Sequence, residues 1–312
     1  MRIFLAGATG ALGQRLVPML VEAGHQVTGS TRTDAKAAAL KEAGAEVAVM
    51  SPLDEQSVRR AVAASRPDVV IHQLTALSNA AMNLRKFDQE FAETNRLRTT
   101  GLDLLVAAAR EAGAQRFIAQ SFTGWPNERT GGPVKDETDP IDPHPTRPTV
   151  QTLAAIRHID ETVPVLDGMA GLVLRYGLFY GHGTGFTDEQ VLAMVRKRRF
   201  PVVGDGSGVA SFVHIDDAAR ATLLAVTEGG PGLYNIVDDD PAPVSEWLPG
   251  LAEAVGAKPP RHLPTWLARP MIGEQGISMM TQTRGSSNAK AKRVLGWEPA
   301  YSSWRQGFRE SL

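Results

Sequence analysis

The chain has 312 residues, a formal net charge of −1, no cysteine and 43% hydrophobic residues. That length admits one large domain or two interlocked ones with a core of ordinary size. The near-zero charge gives no electrostatic case for nucleic acid or an acidic membrane surface, and the missing thiols exclude disulfides, thiolate metal sites and cysteine nucleophiles.

The chain opens on an apolar run, Met1-Arg-Ile-Phe-Leu-Ala6, followed at once by Gly7-Ala-Thr-Gly10-Ala-Leu-Gly13. An apolar pattern at helical spacing then runs to Gly24. Strand, glycine turn and helix in this order hold a dinucleotide pyrophosphate at a helix N-terminus. Gly7 permits the tight turn, Gly10 lets backbone approach phosphate, and Gly13 lets the helix pack close to the sheet. Met1 leads straight into a core strand, with no charged segment and apolar h-region before it, and no apolar stretch reaches spanning length. The expected location is therefore the cytoplasm, with no membrane partner.

Further along, Ile3–Ala6, Gln26–Thr31, Glu46–Val49, Val69–His72 and Arg116–Gln120 read as strands. Helical patterns lie between them, near 11–24, 34–43, 54–64 and 88–112. Asp34 reads as a helix N-cap, and Asp54 as either a helix N-cap or a cofactor ligand. Thr123–Pro148 is rich in Pro, Gly and Asp and reads as a long functional loop. Gln151–Thr162 reads as a helix, and Gly171–Arg175 and Leu233–Val237 as strands. Arg196-Lys-Arg-Arg199 reads as a solvated helix end. Asp216 and Asp217 precede a helix as N-caps, and His214 packs near its start. The seven histidines show no paired ligand spacing, so no metal is expected. Alternation of this kind predicts an α/β chain with a doubly wound parallel sheet. The expected division is a dinucleotide-binding domain of residues 1–177 plus 212–239. A smaller, discontinuous C-terminal substrate lobe would comprise 178–211 plus 240–312.

The order of motifs resembles one family over nearly the whole chain. Gly7-x-x-Gly10-x-x-Gly13, Asp68-Val-Val-Ile-His72 and Ala112-Gly-Ala-Gln-Arg-Phe-Ile-Ala-Gln-Ser121 come first. Leu174-Arg-Tyr-Gly-Leu-Phe-Tyr-Gly181, Val203-Gly-Asp-Gly206, Phe212-Val-His-Ile-Asp-Asp217 and Leu295-Gly-Trp297 follow. Together they resemble the extended short-chain dehydrogenases/reductases, the NAD-dependent epimerase/dehydratase family. The resemblance implies a Rossmann-type sheet, a nicotinamide dinucleotide and a small-molecule substrate. It also implies a homodimer through helices 88–112 and 149–162.

By this resemblance Gly7, Thr9, Gly10, Leu12 and Gly13 hold pyrophosphate, Leu53 meets adenine, and Leu74 and Thr75 lie near a ribose. An NAD site usually places a carboxylate after the second strand. Here that strand ends Thr28-Gly-Ser-Thr-Arg32. Arg32 offers a charge-assisted fork to a 2′-phosphate and Ser30 a hydroxyl, so the expected cofactor is NADP(H), with NAD(H) as the alternative.

The usual catalytic pattern of the family, Tyr-x-x-x-Lys on one helix face, does not appear. Aligned on Pro148, the two positions carry Thr149 and Leu153; aligned on Glu161, they carry Leu153 and Arg157. Thr123 takes the place of the substrate-orienting hydroxyl, with Ser121 as second choice. Replacement proton donors are Tyr176, Tyr180, His158 and Arg157; packing and backbone contact are the favoured reading of the two tyrosines, and a solvated helix face explains His158 and Arg157 equally well. Nucleotide-sugar members carry an arginine where this chain has Ala210, which disfavours a diphosphate substrate. Trp125, Tyr180 and Phe186 are the candidate walls of a substrate pocket. Met194, Trp266, Met271, Met279 and Met280 are weaker apolar contributors.

Three functions follow. The first is an NADP(H)-dependent reductase or dehydrogenase for a small or apolar carbonyl, enone or alcohol. The second is a non-catalytic NADP(H)-binding sensor, and the third, disfavoured, a nucleotide-sugar epimerase or dehydratase.

Overall fold

The structure is a computed structural model that describes residues 1–77 and 83–311, without the Asp34 side chain, so the expected Asp34 cap lies outside what is described. Seven parallel strands form the central sheet. They are β1 (Arg2–Ala6), β2 (Gln26–Thr31), β3 (Glu46–Val49), β4 (Val69–His72), β5 (Arg116–Phe122), β6 (Ala170–Tyr176) and β7 (Gly232–Ile236). Their spatial order is β7-β6-β5-β4-β1-β2-β3. The middle strands are continuous apolar runs because helices cover both faces. Phe4 and Leu5 are both fully buried, on opposite sides of β1.

Five helices matter for the sheet: α1 (Gly13–Glu22), α2 (Glu55–Ser65), α3 (Leu102–Glu111), α4 (Val150–Thr162) and α5 (Ile215–Leu224). Leu16, Val17 and Leu20 of α1 and Ala218 and Ala221 of α5 cover Ile3, Leu5 and Tyr176. Val58 and Val62 of α2, Leu105 and Ala109 of α3 and Ile159 of α4 cover Phe4, Val70 and Phe117 on the other face. Strand order reverses between β1 and β4, so the crevice at their C-terminal ends is the place where this topology binds ligands.

Two local expectations change. The single helix over 88–112 is broken into short turns at Phe87–Glu90 and Ala92–Arg96 and a π-helical turn at Leu97–Gly101 before α3. Phe87 and Phe91 stack at 4.5 Å across the first break, and the wide turn carries the buried Arg98. Asp54 does cap α2, accepting from the Ser57 amide at 2.6 Å. Asp216 and Asp217, however, do not cap α5. That helix starts one residue earlier, and His214 Nδ1 accepts from the Asp216 amide at 3.2 Å. Asp217 is instead fully buried; it accepts from the Ala300 and Tyr301 amides at 2.8 and 3.0 Å and pairs with Arg220. Asp216 pairs with Arg15 at 2.8 Å.

The remaining chain builds a third apolar cluster around Tyr180, Phe212, Trp247, Trp304 and Phe308. Phe212–His214 pairs in parallel with Leu178–Tyr180, apart from the main sheet, and the chain rejoins the sheet only at β7. The segment 123–148 is pinned rather than loose. Val134–Lys135 pairs with Gly285–Ser286, Asn127 bridges Ile141, and Arg129 meets Asp142 at 2.8 Å. Helix α6 (Thr265–Thr281) is kinked at Gly273, whose φ is 68°. Trp266 and Met271 on it are largely exposed, so they do not join an enclosed apolar pocket. Among the described residues, no helix is long and apolar enough to cross a membrane.

Candidate functional site

The glycine turn shows why each glycine stands there. Gly7 has φ 94°, and a Cβ on it would lie 2.6 Å from the Gln73 carbonyl oxygen. A Cβ on Gly13 would lie 2.5 Å from the Gly7 oxygen and 2.6 Å from that of Ala8. Gly13 is therefore required by the turn itself, not by close approach of helix to sheet. Gly10 differs: it is exposed, and its missing Cβ would touch only the Gly7 oxygen, at 3.3 Å. The space beside it opens to the outside. Leu12, buried, anchors the turn beneath. No side chain caps α1, whereas Asp54 caps α2. In the first turn of α1 the Gln14 and Arg15 amides donate to the Gly10 and Leu12 carbonyls at 3.0 and 3.1 Å, and no side chain caps the terminus; a helix N-terminus without a side-chain cap is the arrangement that receives an anion.

The surrounding candidates take different places. Thr9 is half-buried, and its carbonyl accepts from the Gln14 side chain at 3.1 Å. The Ser30 hydroxyl accepts from the Gly7 amide at 3.2 Å, so it braces the turn. Arg32 is exposed and meets Glu93 at 3.2 Å. Leu53 is half-buried in the loop before α2. The Leu74 nitrogen lies 3.1 Å from the Cβ that Gly7 lacks, and the Leu74 carbonyl accepts from Gln120 at 3.1 Å. Thr75 is exposed beside it.

Thr123, at the end of β5, is buried in a polar network. Its amide donates to the Tyr176 carbonyl at 3.0 Å, and its hydroxyl lies 2.6 Å from Ser286 Oγ and 3.3 Å from Asn127 Oδ1. Asn127 donates to Ser286 Oγ at 2.9 Å, and the Ser286 amide donates to Ser211 Oγ at 2.8 Å. Trp125 is half-buried and meets Phe87 edge-on at 5.1 Å.

The other proton-donor candidates lie elsewhere. Gln73 donates to the Tyr176 hydroxyl at 3.0 Å, and Thr222 Oγ1 lies 2.7 Å from it. Burial pushes that phenol up to about 12. Tyr180 is fully enclosed by the C-terminal apolar cluster, where burial again raises its pKa. Phe186 packs on that same cluster, edge-on to Phe212 at 5.4 Å. Tyr176 is thus a core side chain of a strand covered on both faces, Tyr180 is buried in the C-terminal cluster, and Phe186 packs partly buried against that cluster. Arg157 and His158 sit on the outer face of α4; Arg157 lies 4.0 Å from Glu161, and His158 2.7 Å from Asp103. Thr149 is buried and donates to the Thr146 carbonyl at 2.9 Å, and Leu153 is buried apolar packing.

Ser121 faces a second buried cluster. Arg175 meets Asp160 at 2.7 Å, both almost wholly enclosed, and burial pushes the Asp160 carboxyl up against the pull of Arg175 and Ser121. Burial also lowers Arg98 to about 10. It holds neighbouring His72 at about 4, with His72 Nε2 3.1 Å from the Leu97 carbonyl. Sequence reasoning missed Asn127, Ser286 and Glu93. Asn127 and Ser286 stand 159 positions apart, and no spacing signal links residues so distant.

Comparison with known proteins agrees with this architecture. The family model for the NAD dependent epimerase/dehydratase family matches residues 3–236. A 3-diazoavenalumate denitrifying reductase from Streptomyces is 42% identical, covering 98% of this chain and 99% of that protein. A 2-alkyl-3-oxoalkanoate reductase from Stenotrophomonas maltophilia is 30% identical, over 82% of this chain and 76% of its own. The UDP-glucose 4-epimerase of Thermotoga maritima, solved with UDP-glucose, superposes with a TM-score of 0.73 at 25% identity, covering 100% of this chain and 97% of that one. The chain belongs to the NAD dependent epimerase/dehydratase family, within the extended short-chain dehydrogenase/reductase class of oxidoreductases.

Proposed function

We propose that this protein is an NADP(H)-dependent reductase whose acceptor is a diazonium-type carbon, reduced with loss of dinitrogen. The observation that carries the reading is the position of the family's catalytic tyrosine and lysine. The helix that should supply both offers Thr149, Leu153 and Arg157, of which two are buried and already engaged and one lies on the outer face. Carbonyl reduction needs a proton at oxygen. A diazonium carbon does not: the bound dinucleotide supplies hydride, one C–H bond forms, and the C–N bond breaks with its electron pair leaving on dinitrogen. A site without a proton donor suits that balance, and the 42%-identical relative bears the name of a denitrifying reductase of a diazo compound.

The chain's own residues fit the cofactor. Gly7 and Gly13 allow the turn its shape, Gly10 leaves open the space a Cβ would fill, and the α1 terminus, which no side chain caps, receives the pyrophosphate. Arg32 takes a 2′-phosphate. Its pair with Glu93 is exposed, and such pairs are worth about 0–1 kcal/mol, less than a charge-assisted fork to phosphate. Leu74 and Thr75 border the ribose, and Leu53 the adenine. Thr123, held by Ser286 and Asn127, orients a polar group of the substrate, and Trp125 covers its apolar body. Positioning of this kind accounts for much of a hydride-transfer rate.

The test follows NADPH absorbance with an arenediazonium salt and a panel of ketones and enones. Fast NADPH loss with stoichiometric dinitrogen release from the diazonium is the expected result. Turnover of ketones alone would favour a second reading, a ketoreductase, which the oxoalkanoate-reductase relative supports. NADPH binding without any turnover would favour a sensor.

A further inference from the structure

A cavity of about 330 Å³ opens between the turn that precedes α4 and the kinked helix α6, lined by Arg147, Arg269 and Glu274. Both guanidinium groups are exposed, and among the described residues neither has a carboxylate within 4.0 Å. Two cations and one anion leave the cavity with one positive charge in excess. Its shape depends on the kink. Gly273, which lies between Arg269 and Glu274 in the chain, takes φ 68° and ψ −174° and so bends α6 between them. A Cβ there would lie 2.7 Å from the Arg85 side chain, and Arg85 donates to the Pro270 carbonyl at 3.1 Å, bracing the bend.

Arg147 stands two positions before Thr149, which falls at the family's tyrosine position when the chain is aligned on Pro148. Arg147 lies between Thr146 and Thr149, whose hydroxyls are 3.0 Å apart, and Thr146 donates to Gln275, the neighbour of Glu274, at 2.7 Å. Trp266 stands one helical turn before Arg269, largely exposed, as an apolar companion.

We propose that Arg147 and Arg269 form a carboxylate-recognition site that selects monoanionic aromatic or alkenyl acids. This rests on the hydride-transfer reading above and names its substrate class. A guanidinium fork matches a planar carboxylate, and two of them opposite one glutamate complement a single negative charge. The volume falls at the small end of the range for ligand pockets, so the acid is of benzoate or cinnamate size.

The experiment compares an arenediazonium carboxylate with its methyl ester, and separately measures cinnamate binding to the NADP-loaded protein by calorimetry. The wild type should prefer the acid by about tenfold or more in kcat/KM, expressed mainly in KM. The double variant R147Q/R269Q should lose that preference and lose cinnamate binding, while the distant R309Q keeps both. Equal use of acid and ester, cinnamate binding that survives the double variant, or displacement of cinnamate by UDP would overturn the proposal. Absence of all turnover would defeat the hydride-transfer reading alone, because the cinnamate titration still decides the carboxylate site.

Discussion

The Gly7 amide donates to the Ser30 hydroxyl across 3.2 Å, so the turn leaving the first strand is fastened to the end of the second. The part of the chain proposed to cradle pyrophosphate and the part proposed to face the adenosine ribose are therefore tied to each other before any ligand arrives. Ser30→Ala removes one hydrogen bond of about 0.5–1.5 kcal/mol from that frame. The expected outcome is a folded protein whose NADPH dissociation constant rises by roughly two- to tenfold, read by fluorescence titration.

In the proposed function Arg32 carries the choice between coenzymes. R32Q should weaken NADPH by about tenfold or more, close to 1.4 kcal/mol, and leave NADH nearly unchanged. Glu93→Gln frees the same guanidinium and should tighten NADPH slightly. If R32Q weakens both coenzymes equally, the residue serves the backbone and not the 2′-phosphate.

His72 makes stability depend on pH. Its ring is enclosed and neutral: burial, with Arg98 adding to it, lowers the pKa from the ordinary 6.5 to about 4. The unfolded chain takes up a proton near 6.5 while the folded chain resists it. The His72 contribution is therefore complete above pH 6.5 and is lost as pH falls toward 4, amounting to about 3 kcal/mol. Urea unfolding at pH 7 and pH 4 should show His72→Gln losing less stability on acidification than the wild type, by roughly that amount. Equal losses would mean that the ring is protonated in the folded state.

Thr123 and Ser286 should separate in kinetics. Thr123→Val removes the hydroxyl proposed to meet substrate, and kcat/KM should fall by about ten- to a hundredfold. Ser286→Ala leaves that hydroxyl in place but unbraced, so the fall should be smaller and the pH profile unchanged. A larger loss for Ser286→Ala would make Ser286 the substrate contact.

The turn at Gly7–Gly13 was legible because every part of it is contiguous in sequence and has a steric cause. Most strands of the sheet were legible for the same reason, being short apolar runs; β2, Gln-Val-Thr-Gly-Ser-Thr, was legible from its β-branched residues and its place in the alternation. The tyrosines of β6 and of Leu178–Tyr180 were not. A strand covered on both faces has no polar side to betray which residues reach a crevice, so Tyr176 read as a proton donor although its hydroxyl sits between Gln73 and Thr222. The break at Phe91 was equally invisible, since the apolar spacing continues through it and only the wider turn at Leu97–Gly101 changes the phase. Asp217 looked like a cap because position alone cannot distinguish a helix start from its first buried turn.

That same aspartate has a consequence for biosynthesis. Its carboxylate is closed over by amides that lie 83 and 84 positions downstream, and the Trp297 indole donates to its carbonyl at 3.0 Å. While the polypeptide is still emerging from the ribosome, α5 can offer that carboxylate only its own Arg220, with the Ala300 and Tyr301 amides not yet made. The burial of Asp217 under its full set of partners thus waits for the last segment to be released and stitched back across it.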